Sequence, residues 1–427
     1  MSFIGSVMGT VDKLVQQQGG MANGLGGFWQ KRQHRHGAWC AWHGFGAWEV
    51  IRMWKWSTFL AGLFWVAGVH AANGVLPNQV LIGQSITLQA GENDYGVAVQ
   101  TGIQTYLNRV NKSGGVHGRQ VVMKTLDDNN QTEVAAANAR LLIEQHKVFL
   151  LFGSIEGGPS TAVMKVASEL EVPFFGPIAG SPNLRRPHQP LVFPVRAEHR
   201  DEFRALITQA RSLGMRRVGF LRSDSVTGEL HLANVKLICQ ELGMELVADL
   251  KLGASTTPAQ MAPHVQQLSQ TGAQMVFNHG SSKLYEELIR QSRAKDLRTV
   301  FYGVNSGSAQ MVKHLGELSQ GMVFSQVVPS PWERKMAITR EYQDEFSRAQ
   351  PGQAFSYGSL EGYITAKALV LALRLAGPNL TQEAFLAALT NAQLDLNGLT
   401  ARYAKGDHQG LAFVDLAIVT KDLKFRH

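Results

Sequence analysis

Tryptophan almost disappears after the first seventy residues: seven of the eight lie at positions 29, 39, 42, 48, 54, 56 and 65, and only Trp332 remains beyond them. The leading segment therefore does not belong with the rest of the chain. No apolar run there reaches the roughly 20 residues that a helix needs to span a bilayer; the longest, about 13 residues around Phe59–Ala67, is too short for a permanent anchor. With Met53-Trp-Lys-Trp before it and Val69-His-Ala71 after it, the run has the layout of a secretory signal peptide over 53–71 with a cut after Ala71. Residues 1–52 then read as an unstructured or mis-annotated extension, translation starting at Met53. Cysteine is nearly absent too. Cys40 leaves with the leader and Cys239 stays alone, so the exported chain has no internal disulfide even in an oxidising compartment. Charge is sparse at 17% of residues, against 44% hydrophobic, which excludes a disordered polyampholyte. The full-chain charge of +8 falls to +4 once the six Lys/Arg and two Asp/Glu of residues 1–71 are removed. That is too little, and too scattered, for a nucleic-acid binder.

Catalytic signatures are missing as well. Gly153-Ser-Ile-Glu-Gly157 is out of register for a nucleophile elbow, because its serine directly follows the first glycine. Asp127-Asp128 are adjacent at a strand end and point to opposite faces, which suits caps better than a metal or acid/base pair. His117, His146, His188, His199, His231, His264, His279, His314 and His408 show no paired spacing and read mostly as surface residues. In the extension, His34, His36, Cys40 and His43 have donor types that suit zinc, but nothing periodic there would hold four ligands in place. No enzyme, metal or cofactor is expected.

What is present is an alternation. From Val80 onward, short β-branched runs (80–86, 121–126, 148–152, 172–175) alternate with helical periods (96–110, 134–145, 160–170), the pattern of a parallel α/β sheet. Five prolines between 177 and 194 interrupt it, and a second series follows from 200 to 302. Helices are then expected over 333–348, 357–376 and 381–390, and two closing strands over 399–403 and 411–419. With 427 residues, two domains of roughly 150 to 200 residues are expected. The loop Gly153–Ser160 runs from a buried strand into a helix, where free N–H groups attract an anion or carboxylate; it has no P-loop lysine, which argues against a nucleotide. Ser154, Glu156, Gly157 and Gly158 become binding candidates. Loops after the other strands follow by the same rule, His279 among them.

The run Gly102-(x7)-Val110-Asn-Lys-Ser-Gly-Gly-Val-His-Gly118-Arg, Leu126-Asp-Asp128, Ala135-Ala-Ala-Asn138-Ala-Arg140 and Val172-Pro-Phe-Phe-Gly-Pro177 resembles the branched-chain amino-acid binding proteins of ABC importers. So do Val218-Gly-Phe-Leu-(x2)-Asp224, Ala273-Gln-Met-Val-Phe and Tyr357-Gly-Ser-Leu-Glu361-Gly-Tyr. The resemblance implies two Rossmann-like lobes with parallel-sheet cores, the type I periplasmic binding fold, joined by a three-crossing hinge around a ligand cleft. Chain order then gives lobe one as 77–194 plus 327–398 and lobe two as 195–326 plus 399–427, with crossings near 192–196, 326–328 and 396–399.

By position, Tyr95 and Phe355 are similar to the family's cleft aromatics, with core packing the competing explanation for each. Other positions depart from the family. Its amino-acid-gripping hydroxyls are replaced by Gly157 and by Ile178-Ala179-Gly180, the aromatic expected a few residues after Asp224 is Thr227, and the acid that meets the ammonium is Asn305. A buried, uncompensated ammonium is costly, so the expected ligand is a carboxylate-bearing or amide-like small molecule and not leucine, isoleucine or valine. The implied partner is a membrane permease, the implied location the periplasm. A ligand sensor feeding a membrane receptor or kinase has the same sequence features.

Overall fold

The computed structural model describes residues 74–253 and 255–427. The leader, its cut after Ala71 and the His/Cys group at 34–43 lie outside the described residues. Continuous apolar runs make the central strands, as expected where both faces of a parallel sheet are covered. The first sheet takes β1 (Gln79–Ile86), β2 (Gln120–Asp127), β3 (Leu151–Phe152), β4 (Phe174–Phe175) and β5 (Val192–Phe193) in the order β2-β1-β3-β4-β5, all parallel. Its helices are α1 (Asp94–Lys112), α2 (Thr132–Glu144) and α3 (Gly157–Glu169). Helix α4 (His199–Ser212) opens the second series, followed by β6 (Arg217–Ser223), α5 (Val226–Leu242), β7 (Glu245–Leu252), α6 (Ala262–Thr271), β8 (Met275–His279), α7 (Ser282–Ala294), β9 (Val300–Gly303), α8 (Ser308–Leu315) and β10 (Val323–Gln326).

The second sheet repeats the first one's order as β7-β6-β8-β9-β10, again parallel, and then adds β14 (Asp415–Val419) and β15 (Phe425–Arg426) antiparallel at the β10 edge. In each sheet the order reverses beside the first strand of the series, and loops beyond the carboxyl ends of such neighbours form a ligand crevice. Helices α9 (Ala337–Ala349), α10 (Tyr357–Ala376) and α11 (Gln382–Leu389) return to the first core, which contains Ile338, Leu360, Tyr363 and Phe385.

One boundary differs from the sequence reading. Residues 399–410 do not join the second half. Strands β11 (Gln393–Asp395), β12 (Thr400–Ala404) and β13 (Asp407–Gly410) form a small antiparallel sheet of their own, and Leu399, Ala401, Tyr403 and Leu411 are buried in the first core. Tyr403 packs edge-on to Phe193 at 5.6 Å and donates a hydrogen bond from its hydroxyl to the Pro194 carbonyl. The third crossing therefore falls at 411–415, where the Leu411 N–H bonds the Val195 carbonyl at 2.7 Å, and not at 396–399. The burial of Leu399, Ala401, Tyr403 and Leu411 outweighs the simple chain-order assignment.

Candidate functional site

Two glycines bring the site together. A Cβ at Gly102 would lie 1.9 Å from the Ser359 carbonyl oxygen, and one at Gly362 would lie 2.1 Å from that of Val99, so α1 and α10 touch backbone to backbone. This contact places Tyr95, in the first turn of α1, against Glu361 of α10, whose carboxylate accepts the tyrosine hydroxyl at 2.7 Å. The same oxygen accepts Asn305 Nδ2 at 2.9 Å from the loop after β9. Two sequence candidates from opposite halves thus meet on an acid that sequence reasoning passed over.

Arg196, fully buried at the first crossing, lies between two carboxylates. Its Nη2 donates to Glu202 at 2.6 Å, and its Nη1 stands 3.5 Å from Glu361 Oε1. Glu202 also accepts from Ser325 Oγ at 2.7 Å and the Asn305 N–H at 3.2 Å, and is joined to His199 Nδ1 at 2.8 Å. Burial alone would raise the Glu202 pKa, but Arg196 and the hydrogen bonds from His199 and Ser325 outweigh it and hold the carboxyl well below the usual range. For Glu361 burial wins over Arg196, and its pKa is raised. The two acids flanking one guanidinium are therefore unlike: Glu202 is satisfied on both oxygens, whereas Glu361 Oε1, Arg196 Nη1 and Asn305 Oδ1 have no hydrogen-bond partner among the described residues.

Beside Glu202 three imidazoles pack together. His231 lies 3.8 Å from His279 and 5.4 Å from His199 between ring centroids, and His199 lies 4.3 Å from His279. Burial lowers the pKa of all three, and mutual proximity lowers His231 and His279 further. Most of the nine histidines do reach the surface, but His199 and His231 are buried and His279 is half-buried, because they cover the apolar ring of Phe203 at one end of the second core.

The remaining candidates divide. Gly157, Gly158 and Gly180 lie on adjacent loops, a Cβ at Gly157 meeting Ser181 at 3.8 Å and one at Gly180 colliding with His199, so the small residues there make room for neighbours. Ile178 and Ala179 are buried beside them, Ile178 bridging to Ile155. Glu156 precedes α3 half-buried, its pKa raised by burial and by Asp128. Thr227 accepts Asn183 Nδ2 from the other half at 3.3 Å. Ser154 uses its hydroxyl on Ser160 at 2.8 Å, within its own loop. Asp224 is brought to none of these groups: it is exposed and pairs with Lys251 at 3.4 Å. Phe355 packs on Tyr342 and Phe346, away from the Arg196 cluster. Asp127 and Asp128 accept backbone and hydroxyl donors from the loop after β1, as caps do.

Three buried residues were missed. Glu361 was the easiest to find, since it is the one acid of a 20-residue, almost wholly buried helix and lies between Gly358 and Gly362. Glu202 occupies the buried stripe of α4 with Leu206 and Ala210. Arg196 carries no periodic signal, being in the crossing itself.

Residues 79–422 match the family model described as periplasmic binding protein. The chain belongs to this periplasmic binding protein family. The family binds small ligands for ABC transporters and is made of solute-binding proteins, with the periplasmic location this implies. A curated relative, the Leu/Ile/Val-binding protein BraC3 of Rhizobium johnstonii, is 27% identical over 130 residues, 30% of this chain and 33% of the relative. The alignment thus spans about a third of that relative's length. A substrate-binding periplasmic protein from Ralstonia solanacearum superposes with a TM-score of 0.73 at 23% identity, covering 81% of this chain and 99% of its own. An ABC-transporter solute-binding protein of R. palustris, solved in complex with benzoate, superposes at 0.70 with 16% identity over 82% and 95% of the two chains. These likenesses establish the fold of this periplasmic binding protein, two α/β halves with parallel-sheet cores.

Proposed function

We propose that this protein is the ligand-capturing component of an ABC importer, exported with removal of its leader and closing over a small amide-like molecule between its two halves. The observation that supports the ligand class is the unequal use of Arg196, Glu361 and Asn305. One buried donor, Arg196 Nη1, and two buried acceptors, Glu361 Oε1 and Asn305 Oδ1, are without partners among the described residues. Leaving such groups unpaired costs on the order of 1–3 kcal/mol each, which a ligand that pairs them recovers as affinity. A carboxamide presents one acceptor oxygen and two donor hydrogens, and so complements all three. A carboxylate alone answers only Arg196.

Leucine-type ligands are disfavoured on the same grounds. Two carboxylates border Asn305, but Glu202 is taken up by Arg196, His199 and Ser325, and Glu361 already accepts Tyr95 and Asn305 and lies beside Arg196, so neither replaces the missing ammonium partner. A thermal-shift series of primary amides, carboxylates and branched-chain amino acids, followed by calorimetry, tests this reading. Amides are expected to raise the melting temperature, the gain at 100 times the dissociation constant being about 2.7 kcal/mol. Micromolar leucine binding with silent amides overturns it. Export is tested by intact mass, expected to begin near Ala72.

A further inference from the structure

A cavity of about 540 Å³ shares no residue with the Arg196 cluster. Its walls are aromatic. Trp332 stacks on Phe425 with 6.2 Å between centroids and 10° between planes, Tyr357 meets Trp332 edge-on at 5.2 Å, and Phe355 completes the lining. Trp332 keeps 45% of its surface exposed although it lies within this aromatic group, which is unusual for the largest apolar side chain in the described residues. The rim carries three cations: Lys313 from α8, in an exposed pair with Asp94 at 3.6 Å, and, from the segment ending in β15, Lys424, in an exposed pair with Asp422 at 3.2 Å, and Arg426; solvent-screened pairs of this kind hold their partners only weakly. The one acid of the lining, Glu333, is paired at 2.5 Å with Lys335, so it does not cancel the rim. The first turn of the 20-residue α10, starting at Tyr357, adds its positive end to the same field.

We propose that this cavity is a second small-molecule site, separate from the cleft, for an aromatic monocarboxylate. The volume lies in the range of small-ligand pockets, the aromatic walls suit a planar ring, and the rim cations, Arg426 and the weakly paired Lys313 and Lys424, suit a single negative charge. Because the lining combines α8 and the β15 strand, from the second sheet's half, with Phe355–Tyr357 at the start of α10, packed in the first core, an occupant bridges the two halves. By linkage it favours the arrangement described and tightens whatever the cleft binds.

The test uses the full chain labelled with 5-fluorotryptophan, the Trp332 resonance being assigned by its loss in Trp332→Phe. Benzoate is expected to move this ¹⁹F resonance along a saturable curve, whereas acetate, which lacks the ring, and benzyl alcohol, which lacks the charge, move it less at equal concentration. Charge reversal at the exposed rim (Lys424→Glu with Arg426→Glu) should weaken benzoate about ten-fold or more, and Lys313→Glu, on a different element, should weaken it independently. Glu361→Gln, in the cleft, should leave the benzoate curve in place. A Trp332 resonance that stays fixed up to the solubility limit, benzoate affinity in both charge-reversed variants unchanged from that of the unaltered protein, or loss of the shift in Glu361→Gln each overturns the second site. Cleft binding is read separately, by calorimetry with the amide series, so either reading can fail without the other.

Discussion

The two halves have the same strand order around their parallel sheets, yet the buried histidines are all in one of them. The first contributes small or apolar loops to the cleft, Gly157, Ile178, Ala179 and Gly180, plus Tyr95 and Glu361 from a pair of tightly packed helices. The second contributes Glu202, His199, His231, His279 and Asn305. Equal topology thus fixes where loops end, and their side chains determine what each half does, as expected when function is grafted on a common scaffold. The asymmetry has a physical consequence. Glu202 on the second half is fully paired, whereas Glu361 on the first half keeps one oxygen without a hydrogen-bond partner among the described residues.

The sharpest way to break that comparison is to remove each acid in turn. Glu202→Leu strands Arg196 and His199 in a buried place with only Glu361 nearby, and removal of one partner from a buried ion pair costs about 3–5 kcal/mol. Urea unfolding is the measurement. A loss below about 1 kcal/mol would show that Arg196 is served equally well by Glu361 and would erase the distinction between the halves.

Much of the architecture was legible in the sequence because periodicity reports burial directly: the strand-helix alternation from Val80 to Tyr302 and the proline-rich break before His199 correspond to the two sheets. Residues 399–410 were misassigned because a short antiparallel hairpin carries no signal of which core it will join; Tyr403 decides that only through its contacts with Phe193 and Pro194. At the site, Tyr95 and Asn305 were visible as positions but their meeting point was not, since Glu361 reaches them through a helix-helix approach set by Gly102 and Gly362. The histidine cluster was invisible for a related reason. Positions 199, 231 and 279 are far apart in sequence, and only folding brings them onto Phe203.

That histidine group gives the second half a pH dependence. All three folded pKa values are lowered, so the unfolded chain binds more protons than the folded one below about pH 6.5, and stability falls as pH falls through that value. Each histidine kept neutral contributes up to about 1.4 kcal/mol of loss per pH unit. Glu361 opposes this between its ordinary value and its raised folded one, while Glu202, with a lowered pKa, adds to the loss only below about pH 4.5. Melting curves at pH 7.5 and 5.5 are expected to show the drop, and His231→Phe should flatten it, since both ring nitrogens of His231 lack partners and gain nothing from remaining polar. An unchanged slope in that variant would place the titration elsewhere.

Glu361→Gln sharpens the contrast from the other side. Burial already disfavours its charged form, and the amide oxygen still accepts the Tyr95 hydroxyl, so the expected stability loss is about 1 kcal/mol, well below that of Glu202→Leu. Affinity for the cleft ligand is expected to fall more than stability does. A loss of several kcal/mol would instead give the two acids the same structural role.

The smallest effect is expected at Asp224, which follows β6 at a position where the family resemblance placed a ligand contact. It is exposed, as is its partner Lys251, and solvent screening at such a pair leaves about 0–1 kcal/mol. Asp224→Ala should therefore leave both the melting temperature and the ligand titration close to those of the unaltered protein, whereas Thr227→Ala, three residues on, removes the hydroxyl that accepts Asn183 from the opposite half and should weaken ligand binding by loosening closure. Two neighbours where β6 passes into α5 then separate into one that crosses between the halves and one that does not. If Asp224→Ala weakened the ligand as much as Thr227→Ala, the loop after β6 would have to swing its exposed carboxylate inward on binding, and the second half would carry a ligand-facing acid of its own.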